Sequence, residues 1–190
     1  MRTPSLFKPE NCRRCVLISS LILLTLISAI GQDGVMPLQP DVMMKLVPDK
    51  IEGFNRTDQN KGRMIKIGTL AYSIVERNFS KQKRKVVVLL FDYNNAPIMY
   101  SQATKKWKDQ PNVEHDTLVD RSIVFSDFPG RESSMKFNQS AQLALGINDR
   151  FYLIVRGEGV DLNSLRAILA LFPLSNYPLL QRNITEAKYR

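Results

Sequence analysis

Six consecutive apolar residues, Val86, Val87, Val88, Leu89, Leu90 and Phe91, with no glycine or proline among them, constrain this chain more than any other stretch. The run is too short for an ordinary helix and rich in β-branched side chains, so it reads as a strand covered on both faces of a sheet. Upstream, residues 63–70 alternate with a partial period of two. Residues 71–79 continue it with Tyr72, Ile74 or Val75 and Phe79, and Gly68 reads as a bend or bulge between the halves. Downstream, residues 92–95 have turn chemistry and Pro97 suits the first turn of a helix reaching about Trp107, with Ile98, Gln102 or Ala103 and Trp107 near one face. Segments 122–125, 132–137, 141–147 and 151–156 read as an antiparallel meander, with Phe128-Pro129-Gly130 as a tight turn and Asn148-Asp149 as a hairpin pair that tolerates positive φ. The clearest helix comes last: Asp161 or Asn163 can cap it, and Leu162, Leu165, Ile168 or Leu169 and Phe172 recur at helical spacing before Pro173. A short helix at 41–46, with Asp41 as its N-cap and Pro48 as its stop, precedes the sheet. The fold class expected is α+β: an antiparallel sheet of about five to seven strands with two main helices packed on it, preceded by an N-terminal hydrophobic helix.

That hydrophobic segment, 16–30, follows Arg13 and Arg14 and ends in Ala29-Ile30-Gly31 before Gln32. A cationic start, a short apolar block and a small-x-small end describe a secretory signal peptide; a spanning helix needs about 20 apolar residues. Retention as an N-terminal membrane anchor is the competing reading. Cleavage would remove Cys12 and Cys15, the only cysteines, leaving a thiol-free body that folds by core packing in a compartment permitting disulfides. That combination points to the bacterial envelope, periplasmic or secreted. The organisation expected is 1–31 as leader or anchor, 32–46 as linker and short helix, 47–174 as one α/β domain, and 175–190 as a C-terminal tail that frays beyond Pro178. With 44% hydrophobic and 24% charged residues, the body has the composition of a folded domain.

The pattern Pro48-x-Lys50-Ile51-x-Gly53-Phe54, the β pair, the mid-chain helix, the meander and the closing Gly159-Val160-Asp161-Leu162-x-x-Leu165 helix together resemble small exported bacterial proteins of unknown function with a PsbP/DcrB-like α/β domain. The resemblance covers most of 47–174. It implies a sandwich of antiparallel sheet and helices with an adaptor or accessory role, and it supplies no active site.

A direct search for chemistry agrees. Behind the leader there is no thiol nucleophile, and His115 is the only histidine, so a two-histidine metal site cannot be assembled in one chain. Glu114-His115-Asp116 could orient an imidazole, but no Gly-x-Ser-x-Gly elbow accompanies it. Asp92, at the end of the apolar strand, is the better placed carboxylate for acid/base work and equally a turn-closing residue. Arg156-Gly157-Glu158-Gly159 could form an anion-binding nest, or a plain strand-to-helix turn with Asp161 as cap. Sequons at Asn55, Asn78, Asn138 and Asn183 carry meaning only in a eukaryotic secretory pathway.

Arg2, Lys8, Arg13 and Arg14 against Glu10 put +3 of the net +9 in the leader and leave +6 behind it. Two clusters carry much of that excess: Lys81, Lys83, Arg84 and Lys85, and Lys105, Lys106 and Lys108 around Trp107. They are the candidate residues for binding an anionic surface, against the alternative of solvated turn and helix faces. No catalytic, cofactor-binding or metal-binding residue is assigned. The function expected is a non-enzymatic binding or accessory protein of the envelope, with an envelope protein or an anionic surface as partner, no nucleic acid, and membrane contact only through 16–30 if that segment is retained. The alternatives are a membrane-tethered sensor and a metal-independent hydrolase using carboxylates such as Asp92 and Glu114.

Overall fold

A computed structural model describes residues 35–57 and 61–181. In chain order they form helix α1 (Pro40–Met43) with a 3-10 turn (Met44–Leu46), strands β1 (Asn55–Arg56), β2 (Lys61–Ile67), β3 (Leu70–Lys81) and β4 (Arg84–Asn95), and helix α2 (Pro97–Asp109). Strands β5 (Val113–His115), β6 (Leu118–Phe125), β7 (Phe128–Met135), β8 (Ser140–Ile147) and β9 (Phe151–Glu158) follow, then helix α3 (Leu162–Leu169) and a 3-10 turn (Leu174–Asn176). The strands form one nine-stranded antiparallel sheet in the order β1-β3-β4-β9-β8-β7-β6-β5, with β2 and β1 sharing the outer edge of β3. The antiparallel sheet carrying helices is as expected, with more strands than the five to seven read from the sequence. The additions, β1 and β5, are two and three residues long and too short to display a period.

The chain leaves β4 through α2, reaches the far edge at β5, and returns hairpin by hairpin until β9 closes on β4. Helices pack on both faces. A Cβ at Gly157 would meet Leu165 of α3, whereas one at Gly146, on the opposite face, would meet Tyr100 and Trp107 of α2. The main core lies on the α1/α3 side, where Met43, Phe79, Leu90, Leu145, Leu153, Leu165 and Leu169 are buried together. Asp161 is the N-cap of α3, accepting from the Ser164 amide at 2.8 Å, and Leu165, Ile168 and Leu169 form its buried stripe, both as expected.

Several local expectations are corrected. The run 86–91 is not covered on both faces: Val86, Val88 and Leu90 are buried, while Val87, Leu89 and Phe91 are half-buried, because α2 roofs only part of its side. Residues 92–95 are not a turn. They continue β4 through a bulge opposite Ala71 and Ser73, and their polar side chains find buried partners. Gly68, at φ 60°, is not a bend within a strand but part of the tight reversal that joins β2 to β3. Phe128-Pro129-Gly130 belongs to β7; the turn is Ser126 and Asp127, at φ 49° and 69°, closed by Phe125 opposite Phe128. Gly130 is small for another reason, since a Cβ there would lie 2.2 Å from the Ala144 carbonyl oxygen of β8. Asn148 and Asp149 do take positive φ, 55° and 52°, in a turn closed by the Arg150 amide on the Ile147 carbonyl. On α2, Trp107 lies against the sheet as expected, but Ile98 is 62% exposed, so the inner stripe begins at Tyr100. Helix α1 starts at Pro40 with Gln39, not Asp41, as its N-cap.

Beyond Pro178, where fraying was expected, the described residues 179–181 are held to the sheet. The Asn148 side chain donates to the Tyr177 and Pro178 carbonyls, Arg150 to that of Leu179, and the Gln181 amide donates to Asn94. No helix among the described residues is long and apolar enough to cross a membrane. The segment 16–30, read as a leader, anchor or hydrophobic helix, and the tail from 182 onward lie outside the described residues.

Candidate functional site

Charged groups inside the protein are spent on one another. Asp92 takes a bidentate pair from Arg150, at 2.8 and 2.6 Å, and also accepts the Leu38 and Asn94 amides at 2.8 and 3.0 Å. Arg150 lies over the Phe151 ring at 4.8 Å. A carboxylate with this many donors anchors the backbone at Leu38 and holds no free lone pair for a substrate proton. Glu132, buried under α3, accepts from Arg166 and from Arg121, whose Nη1 also reaches Glu114 at 2.6 Å. Those carboxylates raise the pKa of Arg121, the hydrogen bond it donates to Glu132 most of all. Asp92 and Glu114 sit on strands five places apart in the sheet, roughly 24 Å at the usual strand spacing, so they cannot act as an acid/base pair.

The other catalytic ideas fare no better. The Nδ1 atom of His115 is 3.1 Å from the Thr117 hydroxyl on an exposed turn, and its neighbour Glu114 is committed to Arg121. The Gly157-to-Gly159 segment offers no nest: Gly157 is paired within the sheet and the Gly159 amide donates to the Gln139 carbonyl at 2.8 Å. Among the described residues no three His, Cys, Asp or Glu side chains gather as a metal would require. Two open clefts, of about 500 and 430 Å³, flank the helices of the core side. Of the four charged residues lining the first, Asp41, Lys45, Asp49 and Arg77, the last two are paired at 2.9 Å.

The two basic clusters are not one surface. Lys81, Lys83, Arg84 and Lys85 stand exposed around the β3–β4 turn, with Lys85 3.5 Å from Glu158. Lys105 is exposed on α2, whose backbone also includes Lys106 and Lys108. Trp107 is only 9% exposed, with its ring stacked on Tyr152 at 5.5 Å, so it is not available as a surface aromatic. Tyr152 and Glu158 lie six positions apart on β9, about 20 Å of strand. The exposed aromatic at the basic end is Phe137, in the turn between β7 and β8, where the sequence had suggested a strand.

What remains open is the sheet face beside α2. Strand register sets Ile74, Phe91 and Tyr152 in one row and Glu76, Leu89 and Ile154 in the next, with Val87 beside Arg156 beyond them. The apolar members are half-buried, flanked by Arg63 and Lys61 on β2 and by exposed Arg156 on β9. The rings continue as a ladder: Phe91 packs on Tyr93 at 5.7 Å and Tyr93 on Tyr72 at 5.5 Å. Burial pushes the Tyr93 hydroxyl up to about 12, and that of Tyr100 likewise. The ladder was half legible as alternation in β3 and β4; its continuation onto Tyr152 depends on β9 lying beside β4, which no local signal gives. No protein-family model, no curated protein and no solved structure matches this chain.

Proposed function

We propose that this chain is an exported, non-enzymatic binding or accessory domain of the cell envelope, and that it docks a partner protein on the open sheet face beside α2. One observation carries the reading: Ile74, Leu89 and Ile154 form a half-buried apolar strip, framed by Tyr72, Phe91 and Tyr152 and rimmed by charges. An apolar centre with aromatic residues and a charged rim is the anatomy of a protein interface; a small-molecule site would be concave with converging polar groups. The commitment of Asp92, Glu114 and Glu132 to arginines supports the non-enzymatic part of the proposal. Export rests on Arg13, Arg14 and the block 16–30, and the PsbP/DcrB-like assignment rests on the antiparallel sheet that carries helices and closes on the Asp161-capped helix.

A photo-crosslinking residue at Leu89 or at Ile154, introduced in the cells that make the protein, is expected to trap the same partner. The same group at Val124, which is 74% exposed elsewhere on the sheet, is expected to trap none. Equal labelling from all three positions, or none from Leu89 and Ile154, would remove the reading. An intact mass beginning at Gln32 would separate a released domain from a tethered one.

A further inference from the structure

The end of the sheet that carries the β3–β4 turn lies away from both ends of the described chain. Residues 35–38 are bound at the opposite end, to Asn94 and Asp92, and residues 177–181 to Asn94, Asn148 and Arg150. At the basic end the turns are tied together. The Gly159 amide donates to the Gln139 carbonyl and the Lys136 amide to that of Thr117, at 2.8 and 3.0 Å, and Lys85, Glu158, Ser140 and Met135 share one cross-strand row. Phe137 stands on this end 99% exposed, with Met135 52% exposed beside it. The polar groups of its turn are satisfied locally, the Ser140 hydroxyl donating to Asn138 at 2.7 Å, so the turn holds the ring out in water.

On the same end of the sheet stand the exposed cations Lys136, next to Phe137, and Lys81, Lys83, Arg84 and Lys85, across β9 from the β7–β8 turn. The carboxylates on the same end are Glu52, Asp116, Glu158 and Asp161; Glu158 is paired with Lys85, and Asp161 is held as the cap of α3.

We infer that this tip is a membrane contact: Phe137 enters the interface of an anionic bilayer while the cations of the β3–β4 turn and Lys136 meet lipid phosphates. A fully exposed phenylalanine gains by leaving water, and aromatic side chains favour the headgroup boundary. Juxtaposed cations add attraction to anionic lipids, so the two signals together give what neither gives alone. A protein partner is the weaker reading here, because a projecting ring lacks the surrounding desolvated contacts that make an interface hot spot. The site shares no residue with the open sheet face, so either proposal can fail alone. It also moves membrane contact away from the leader, where the sequence had confined it.

The test places a reporter on the tip itself, so that the leader cannot mimic the result. In the full chain carrying Phe137→Trp, the only other tryptophan is the buried Trp107. With phosphatidylcholine vesicles containing about a third phosphatidylglycerol, the emission of the new indole is expected to shift to the blue and to be quenched by brominated acyl chains. Pure phosphatidylcholine is expected to give neither effect. Adding Lys83→Gln or Arg84→Gln should raise the lipid needed for half the shift roughly fivefold each. An indole that stays water-exposed and unquenched on anionic vesicles overturns the inference. So does a shift that arises without lipid as protein concentration rises, which would mark the tip as a protein contact.

Discussion

Asp92 shows how far residue type alone can mislead. As a carboxylate at the end of an apolar strand it looks like a turn closer or a general base; in the fold it is fully buried and balances Arg150. Removing one member of such a pair leaves an uncompensated buried charge, so Asp92→Asn is expected to cost about 3–5 kcal/mol in urea unfolding. Replacing Asp92 and Arg150 together by apolar residues should cost less than the two single changes summed. The buried tyrosines make a second prediction. Burial raises the hydroxyls of Tyr93 and Tyr100 to about 12 and that of Tyr177 higher still, against about 10 in the unfolded chain. Between those values the unfolded state loses protons first. The stabilisation is therefore complete below about pH 10 and is lost as pH climbs through the folded values. An ultraviolet titration should show these groups ionising late in native protein and near pH 10 in urea. A native curve that overlays the unfolded one would refute it.

At the scale of elements, the signals that survived were those satisfied within a few residues: the Asp161 cap, the Asn148-Asp149 turn, and the apolar spacing of α3. Those that failed needed a partner from elsewhere. Phe128-Pro129-Gly130 looks like a turn because glycine and proline usually punctuate, yet Gly130 exists to admit the β8 backbone. Trp107 was legible as an inward residue of α2, but what seats it was not: Gly146, where a Cβ would lie 2.5 Å from the Tyr100 hydroxyl and 3.0 Å from Trp107. Gly146→Val is expected to lift α2 off the sheet, shifting Trp107 emission to the red and lowering stability by about 1–3 kcal/mol. Unchanged Trp107 emission in a folded variant would show that α2 is held by other contacts.

At the scale of the described domain, residues 35–46 and 177–181 act as a clasp. Tyr177 is 3% exposed, its hydroxyl donates to the Leu46 carbonyl at 2.9 Å, and its ring meets Phe151 edge-on at 5.1 Å. Tyr177 thus closes the core between the 3-10 turn at Leu46 and β9. Tyr177→Ala should cost about 3–5 kcal/mol in urea unfolding, whereas Tyr177→Phe, which loses only the hydrogen bond, should cost about 1 kcal/mol. Equal losses would place the stabilisation in the hydroxyl and not in the packing.

By itself the sequence determined what is encoded locally: which of the longer segments extend, where α3 starts, that the basic residues cluster, and that residues 32–190 contain no cysteine. Only the tertiary structure decided which strand lies beside which. That choice put β9 against β4, turned the rings of separate strands into a ladder, consumed Asp92 with Arg150, and parted the two basic clusters. The reason is physical. Alternation and caps are written by neighbours in the chain, whereas pairing across a sheet depends on burial shared by residues such as Asp92 and Arg150, 58 positions apart.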